Sequence, residues 1–448
     1  MTRMSARTHN LRLKCKYIGR LVRAKIARRA LRMLLVFLAW EMRFRPVARG
    51  DEKRILVIVI GGLGDGLLFD PLFRRLKEEW PGARVDVLTG CFEEMWALVE
   101  PIDNLLFFTP SRFKPPWKYA SFFRAIYRSK YDIVAEGIAM LPLRGIYPVF
   151  TSLVFEASRA PVRIGRKSTG TLPGLRPGVA GFVGVQDKAT ASGGTSGDLE
   201  RPENPFLTHV IELLPPDTRD YHESAKIFEP LGLAYHRKKD EPRLGHNPSC
   251  DAWAEKLLRG HWAGEGDLIV GFTVETTRMI KSWPINNFLA ILKWGIADGV
   301  KFVMLGHDAN ASGSAFSAFP RDSLFDLTGK TGLGEMISVI RQCDMFLSCD
   351  TGPSHIAQAC HIPSVVLFGP SNEVEFGPAD LDLHALILPS DDDECRPCVL
   401  GPCIVGKSCI QRIQPETVYA AMRQRLGDVH IPRRGAGVHK PARVLCSI

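Results

Sequence analysis

The sequence predicts an α/β protein made of two doubly wound halves facing a cleft. Three observations carry this expectation: an unbroken β-branched run from Arg54 to Ile60, a second series of alternating strand and helix signals after about residue 248, and a strand-turn-helix junction at Asp350-Thr-Gly-Pro-Ser354. With 448 residues and 45% hydrophobic content, the chain is long enough to bury two cores.

Residues 1 to 53 form a basic arm. The first 54 residues hold 16 Lys and Arg against 3 Asp and Glu, a net of +13, so the formal charge of +10 leaves the rest of the chain at −3. A mildly acidic body argues against a nucleic-acid-binding face and puts the electrostatic partner at the N-terminus. From Leu21 to Trp40, Ala27, Leu31, Leu34 and Leu38 share a helical face, with Arg23, Lys25, Arg28, Arg29 and Arg32 supplying charge. This is a basic amphipathic helix, suited to an anionic membrane surface. Its apolar run, Met33 to Trp40, is too short to span a bilayer, which takes about 20 residues. A plain extension is the competing reading.

The first half, residues 54 to 240, opens on the Arg54–Ile60 strand. Strands at 85–89, 105–108 and 132–135 and a helix at 71–80 follow in βαβ order. Gly, Ser, Thr and Pro dominate residues 165 to 205, which predicts a flexible insertion. A linker is expected at 236–248. The second half, 241 to 427, predicts strands at 268–274, 301–305, 345–349 and 364–368, and a helix after Pro284, where Pro suits a helix start. A last helix at 415–426 is expected to pack back on the first half, and 428 to 448 to form a mobile tail.

Four places carry candidate chemistry. After the first strand, Gly61-Gly62-Leu63-Gly64-Asp65 puts a carboxylate on a glycine turn. Asp65 there is either a general base toward a hydroxyl or a cap on the next helix. The glycine spacing does not give Gly-x-Gly-x-x-Gly, which speaks against a dinucleotide oxidoreductase. After the strand at 268–274, Thr276, Thr277 and Lys281 combine hydroxyl donors with an ammonium, a set suited to phosphate oxygens. At Asp350, Thr351 and Gly352, a helix start offers free N–H groups and a favourable dipole to an anion, or is capped by Thr351 or Ser354; His355 lies one turn in. Cys395, Cys398, Cys403 and Cys409 fall within fifteen positions and could hold a structural zinc, form disulfides or stay as thiols. The acidic triplets at 380–382 and 391–393 read as solvated loops, and the scattered cysteines favour a cytosolic compartment.

Gly64-Asp65 before Pro71, Thr276-Thr277 before Lys281-x-Trp283-Pro284, Leu327-Thr328-Gly329, Asp350-Thr-Gly-Pro-Ser-His355 and Leu367-Phe-Gly-Pro370 together resemble glycosyltransferase family nine, the lipopolysaccharide heptosyltransferases. The resemblance runs from about Ile55 to Leu426 and is most specific in the second half. It implies a GT-B fold of two Rossmann-like domains, acceptor side first and donor side second. It further implies an inverting transfer from a nucleotide sugar, typically ADP-heptose, to a lipid-linked or cell-envelope saccharide, with no cofactor and no essential metal. Asp65 would then be the base, Thr276, Thr277, Lys281, Thr351 and Gly352 would hold the diphosphate, and Asp350 and His355 would touch donor sugar or phosphate. Such an enzyme is expected at the inner face of the cytoplasmic membrane. Val59 departs from the pattern, because members often carry an arginine in the first strand. A non-catalytic sugar-nucleotide or glycan-binding protein of the same fold is the alternative.

Overall fold

The structure is a computed structural model describing residues 52–108, 119–139, 147–166, 209–211, 227–236, 239–262, 267–307, 315–389, 396–398, 403 and 408–430. Residues 1–51 of the basic arm, residues 167–205 of the predicted insertion and the tail beyond residue 430 lie outside the described residues. Among the described residues, no helix is long and apolar enough to cross a membrane.

Among the described residues, two six-stranded sheets form the frame. The first contains β1 (Arg54–Ile60), β2 (Arg84–Thr89), β3 (Asn104–Phe107), β4 (Ile133–Ala139), β5 (Val162–Arg166) and β6 (His209–Ile211), in the order β3-β2-β1-β4-β5-β6. The second contains β7 (Ile269–Phe272), β8 (Lys301–Met304), β9 (Leu324–Asp326), β10 (Met345–Cys349), β11 (Ser364–Leu367) and β12 (His384–Ile387), in the order β12-β11-β10-β7-β8-β9. Every strand pair is parallel. β1 and β10 sit centrally with helices on both faces, which is why their sequences read as continuous apolar runs.

The helices are α1 (Leu63–Leu67), α2 (Asp70–Glu79), α3 (Glu93–Trp96), α4 (Ala120–Ser129), α5 (Tyr147–Ser158), α6 (Pro248–His261), α7 (Ile285–Ala297), α8 (Leu333–Gln342), α9 (Gly352–Ala359), α10 (Glu373–Phe376) and α11 (Pro415–His430). α2 shows how sequence sets such an element. Pro71 lies in its first turn, and Leu72, Phe73 and Leu76 form the buried stripe. Asp70, 2% exposed, accepts from Arg74 Nε at 3.0 Å and from the Arg243 backbone N–H at 2.8 Å, tying α2 to the segment between the sheets.

One apolar cluster runs through both halves, from Ile55, Val57 and Leu63 to Ile337, Ile356 and Ala357. Val59 belongs to it, so its side chain faces the core rather than the cleft. The expected docking of the last helix on the first half is wrong. α11 packs on α7 and on β11 and β12, with Val418, Met422 and Leu426 buried in the second half's own core. Helical spacing identifies the face that must be covered but not the sheet that covers it. This helix also continues to His430, beyond the predicted end at 426.

Candidate active site

In a doubly wound sheet, ligands bind outside the carboxyl ends of the strands, where the strand order reverses direction. The reversal falls between β1 and β4 in the first sheet and between β10 and β7 in the second. Asp65 follows β1, Thr276 to Lys281 follow β7, and Asp350 follows β10. The topology therefore places the candidate residues of each half at that half's switch point.

Asp65 is 6% exposed in the third position of α1, and its Oδ2 accepts the Gly62 N–H at 2.6 Å. Gly61 has to be glycine for this turn, since a Cβ there would lie 2.9 Å from the Asp65 Cβ. Burial pushes the Asp65 carboxyl above its ordinary value; the Gly62 N–H, His355 and Lys281 draw it back, and Asp350 adds to the rise. Asp65 caps the start of its own helix rather than the next one, and its carboxylate also lies within reach of the charges of the second half.

On the other side, Lys281 Nζ donates to Asp350 Oδ2 at 2.5 Å, and His355 Nε2 lies 3.4 Å from Asp350 Oδ1. Asp350 is 5% exposed. Burial by itself would raise its carboxyl, but the His355 and Lys281 contacts outweigh that and hold it well below the usual range. Lys281 ends a 3-10 turn, Met279–Lys281, that is pinned from below. Ser408 Oγ donates to the Ile280 carbonyl at 2.6 Å, and the indole of buried Trp283 donates to the Ile413 carbonyl at 3.0 Å.

Thr276 and Thr277 differ from each other in their surroundings. Thr276 Oγ1 is engaged within its own loop, with the Arg278 carbonyl at 2.9 Å and Ser282 Oγ at 2.7 Å, whereas Thr277 is exposed. At α9, Ser354 Oγ donates to the Thr351 carbonyl at 2.7 Å and accepts the Thr351 N–H at 3.3 Å. The Thr351 hydroxyl is buried with no hydrogen-bond partner among the described residues, and Gly352 opens the helix against Leu63 of the first half.

The two halves meet at this site. A Cβ on Gly64 would come within 2.2 Å of His355 Cδ2, so only glycine lets α1 approach α9 this closely. Two of the contributing residues, Ser282 and Ser408, carried no sequence signal, being common hydroxyls in polar loops. Of the cysteine cluster, Cys395 lies outside the described residues. Among the described residues, no group of three or more His, Cys, Asp and Glu is placed to hold a metal. Asp380 caps the turn before β12 through the Asp382 N–H at 3.0 Å, and 391–393 lie outside the described residues.

Comparison with known proteins agrees with this architecture. Residues 225–408 match the sequence profile of glycosyltransferase family 9 (heptosyltransferase). A lipooligosaccharide heptosyltransferase 2 of Campylobacter jejuni is 26% identical over 107 residues, 24% of this chain and 33% of that protein, so the match spans about a third of that relative's length. Among solved structures, a family 9 glycosyl transferase from Veillonella parvula superposes with a TM-score of 0.64 at 19% identity, covering 86% of this chain and 100% of that one. The Escherichia coli ADP-heptose lipopolysaccharide heptosyltransferase II superposes with a TM-score of 0.57 at 17% identity, covering 84% and 99%. The chain thus has the two-domain GT-B fold, and its residues 225–408 are similar to glycosyltransferase family 9.

Proposed function

We propose that the protein is an inverting glycosyltransferase moving a sugar from a nucleoside-diphosphate donor, ADP-heptose in the first instance, to a hydroxyl of a lipopolysaccharide-core-like or other envelope saccharide. The observation that carries this reading is the placement of Asp65, from one sheet, opposite the Lys281–Asp350–His355 cluster of the other. We divide the chain into an acceptor domain, 54–240, and a donor domain, 241–427. The family 9 profile and the fold shared with an ADP-heptose enzyme support the donor assignment.

In this reading the acceptor oxygen attacks the anomeric carbon while Asp65 takes its proton. The bond from that carbon to the diphosphate oxygen breaks, and the departing charge meets Lys281, Thr277 and the N–H groups at Thr351 and Gly352. Fixed donors aimed at charge that develops only during reaction are where electrostatic catalysis acts most strongly. Lys281 and the α9 dipole supply the positive charge, so the reading assigns no metal or other cofactor to the step. Asp350 is occupied by Lys281 and His355, which leaves Asp65 as the carboxylate available to the acceptor. His355 also faces the donor.

A thermal shift screen tests the donor. ADP at 100 times its dissociation constant should stabilise the protein by about 2.7 kcal/mol. A shift with UDP and none with ADP would reject the ADP assignment.

We place the enzyme in the cytoplasm, peripheral on the inner membrane face and held by the basic arm. Each arm cation near an anionic surface contributes about 1 kcal/mol. Flotation with anionic liposomes should be lost on deleting residues 1–50, and unchanged flotation would discard the anchor.

A further inference from the structure

We infer that Glu94 is a positioning residue for the transfer: its carboxylate, reaching from the first domain to the N-terminus of α8 in the second, sets Asp65 against Lys281 and Asp350. This rests on the functional reading above. Gly334 N donates to Glu94 Oε2 at 2.6 Å, across 240 positions of sequence. The first N–H groups of a helix have no partner within it and favour a negative charge. At α8 two carboxylates share them: Glu335 accepts the Gly332 N–H at 2.9 Å from within the helix, and Glu94 takes Gly334 from across the cleft. Gly334 allows this approach, since a Cβ there would already lie 3.3 Å from Glu94 Oε2.

Both ends of the contact are mechanically tied to the reacting groups. α3 follows a left-handed residue, Phe92 at φ 64°, which turns the chain leaving β2. The Trp96 indole donates to Thr89 Oγ1 at 3.1 Å, and Met95 and Trp96 lie against Gly66, where a Cβ would be 3.1 Å from each. Because Gly66 is in α1, the helix carrying Asp65, Glu94 and Asp65 belong to one packed block. On the far side, α8 leads through Cys343 and Asp344 directly into β10, which ends at Cys349, one residue before Asp350. Arg341 at the end of α8 donates to the Leu244 and Gly245 carbonyls at 2.8 and 2.7 Å, fixing the same helix to the segment joining the sheets.

Glu94 is an exposed residue, so its bond forms and breaks more easily than a buried one would. That suits a contact made when the cleft closes and released when ligands exchange. The Gly64–His355 approach lies beside the reacting groups and Glu94 lies at α8, so Glu94 adds a separate polar contact at the edge of an interface whose interior is a shared apolar cluster.

The test compares wild type, Glu94→Ala, Glu94→Gln and the neighbouring Glu93→Ala by small-angle X-ray scattering with saturating ADP, and by steady-state transfer. Glu94→Ala should enlarge the ADP-bound radius of gyration and lower kcat by about ten- to a hundredfold, the range expected for ångström-scale misplacement. The KM for the donor should move less than kcat. Glu94→Gln, which keeps an acceptor oxygen, should recover most of both effects, and Glu93→Ala should match wild type. Unchanged scattering in Glu94→Ala would overturn the inference, as would a change in donor KM alone. The scattering comparison does not depend on turnover. A wild-type protein without transferase activity would therefore defeat the functional reading while leaving the closure contact standing.

Discussion

Asp65→Asn will lower kcat for sugar transfer by about 10²- to 10⁴-fold, the range contributed by a positioned general base, and leave donor binding nearly unchanged. Asparagine is the informative replacement because its amide oxygen can still accept the Gly62 N–H that Asp65 holds at 2.6 Å. The helix start survives while the proton acceptor is lost. The pH dependence follows from the raised Asp65 carboxyl. The ionised form is the working base, so kcat/KM falls as pH drops through the folded-state value. That limb is displaced upward from where an ordinary aspartate would put it and should vanish in Asp65→Asn.

Stability moves in the opposite direction. A carboxyl whose folded value is raised disfavours folding in full above that folded value, and the penalty fades as pH falls from there and is gone below the unfolded value. Asp65→Asn should therefore melt no lower than wild type at neutral pH despite its lost activity, a pattern common where a buried charge is kept for function. Transfer rates equal to wild type would reduce Asp65 to the cap of α1 and favour the binding-protein alternative.

The parts of this arrangement that were legible in the sequence are those written locally. β1 and β10 announce themselves because both faces are buried, and the loop from Thr276 to Lys281 sets two hydroxyls and an ammonium within six residues. β6 and β9 are only three residues long, and β5 and β12 also lie toward sheet edges, where three to five residues are too few to establish a period. The pairing of Lys281 with Asp350 spans 69 positions and that of Glu94 with Gly334 spans 240, so neither leaves a local signature. A lone Glu in a turn after a strand has no feature that separates a domain contact from a solvated side chain. Gly64 is similar: the glycine turn was visible, but its reason is an imidazole arriving from the other sheet.

Lys281→Ala should remove donor binding and destabilise the fold together, and the two losses can be separated. Asp350 is 5% exposed and Lys281 about one-fifth, so truncating the lysine strands a nearly buried carboxylate. Breaking a buried pair from one side costs about 3 to 5 kcal/mol. The lower end applies here, since Lys281 is partly hydrated and His355 remains at 3.4 Å from the carboxylate. Removing both charges in Lys281→Met with Asp350→Asn should restore most of the stability, because no unpaired charge is left in the interior. It should not restore transfer, since the departing diphosphate would still lack its ammonium.

The same pair sets an acid limit. Asp350 is held below its unfolded value, so its contribution is present above about pH 4, the ordinary carboxylate value, and is lost as pH falls toward the depressed folded-state value. Chemical denaturation of wild type, single and double variants between pH 3 and 8 would show it. The wild-type advantage over Lys281→Ala should shrink as pH drops below 4. An advantage that stayed constant across that interval would mean that the Lys281–Asp350 contact does not stabilise the fold, and the loss of activity would then have to be assigned to donor binding alone.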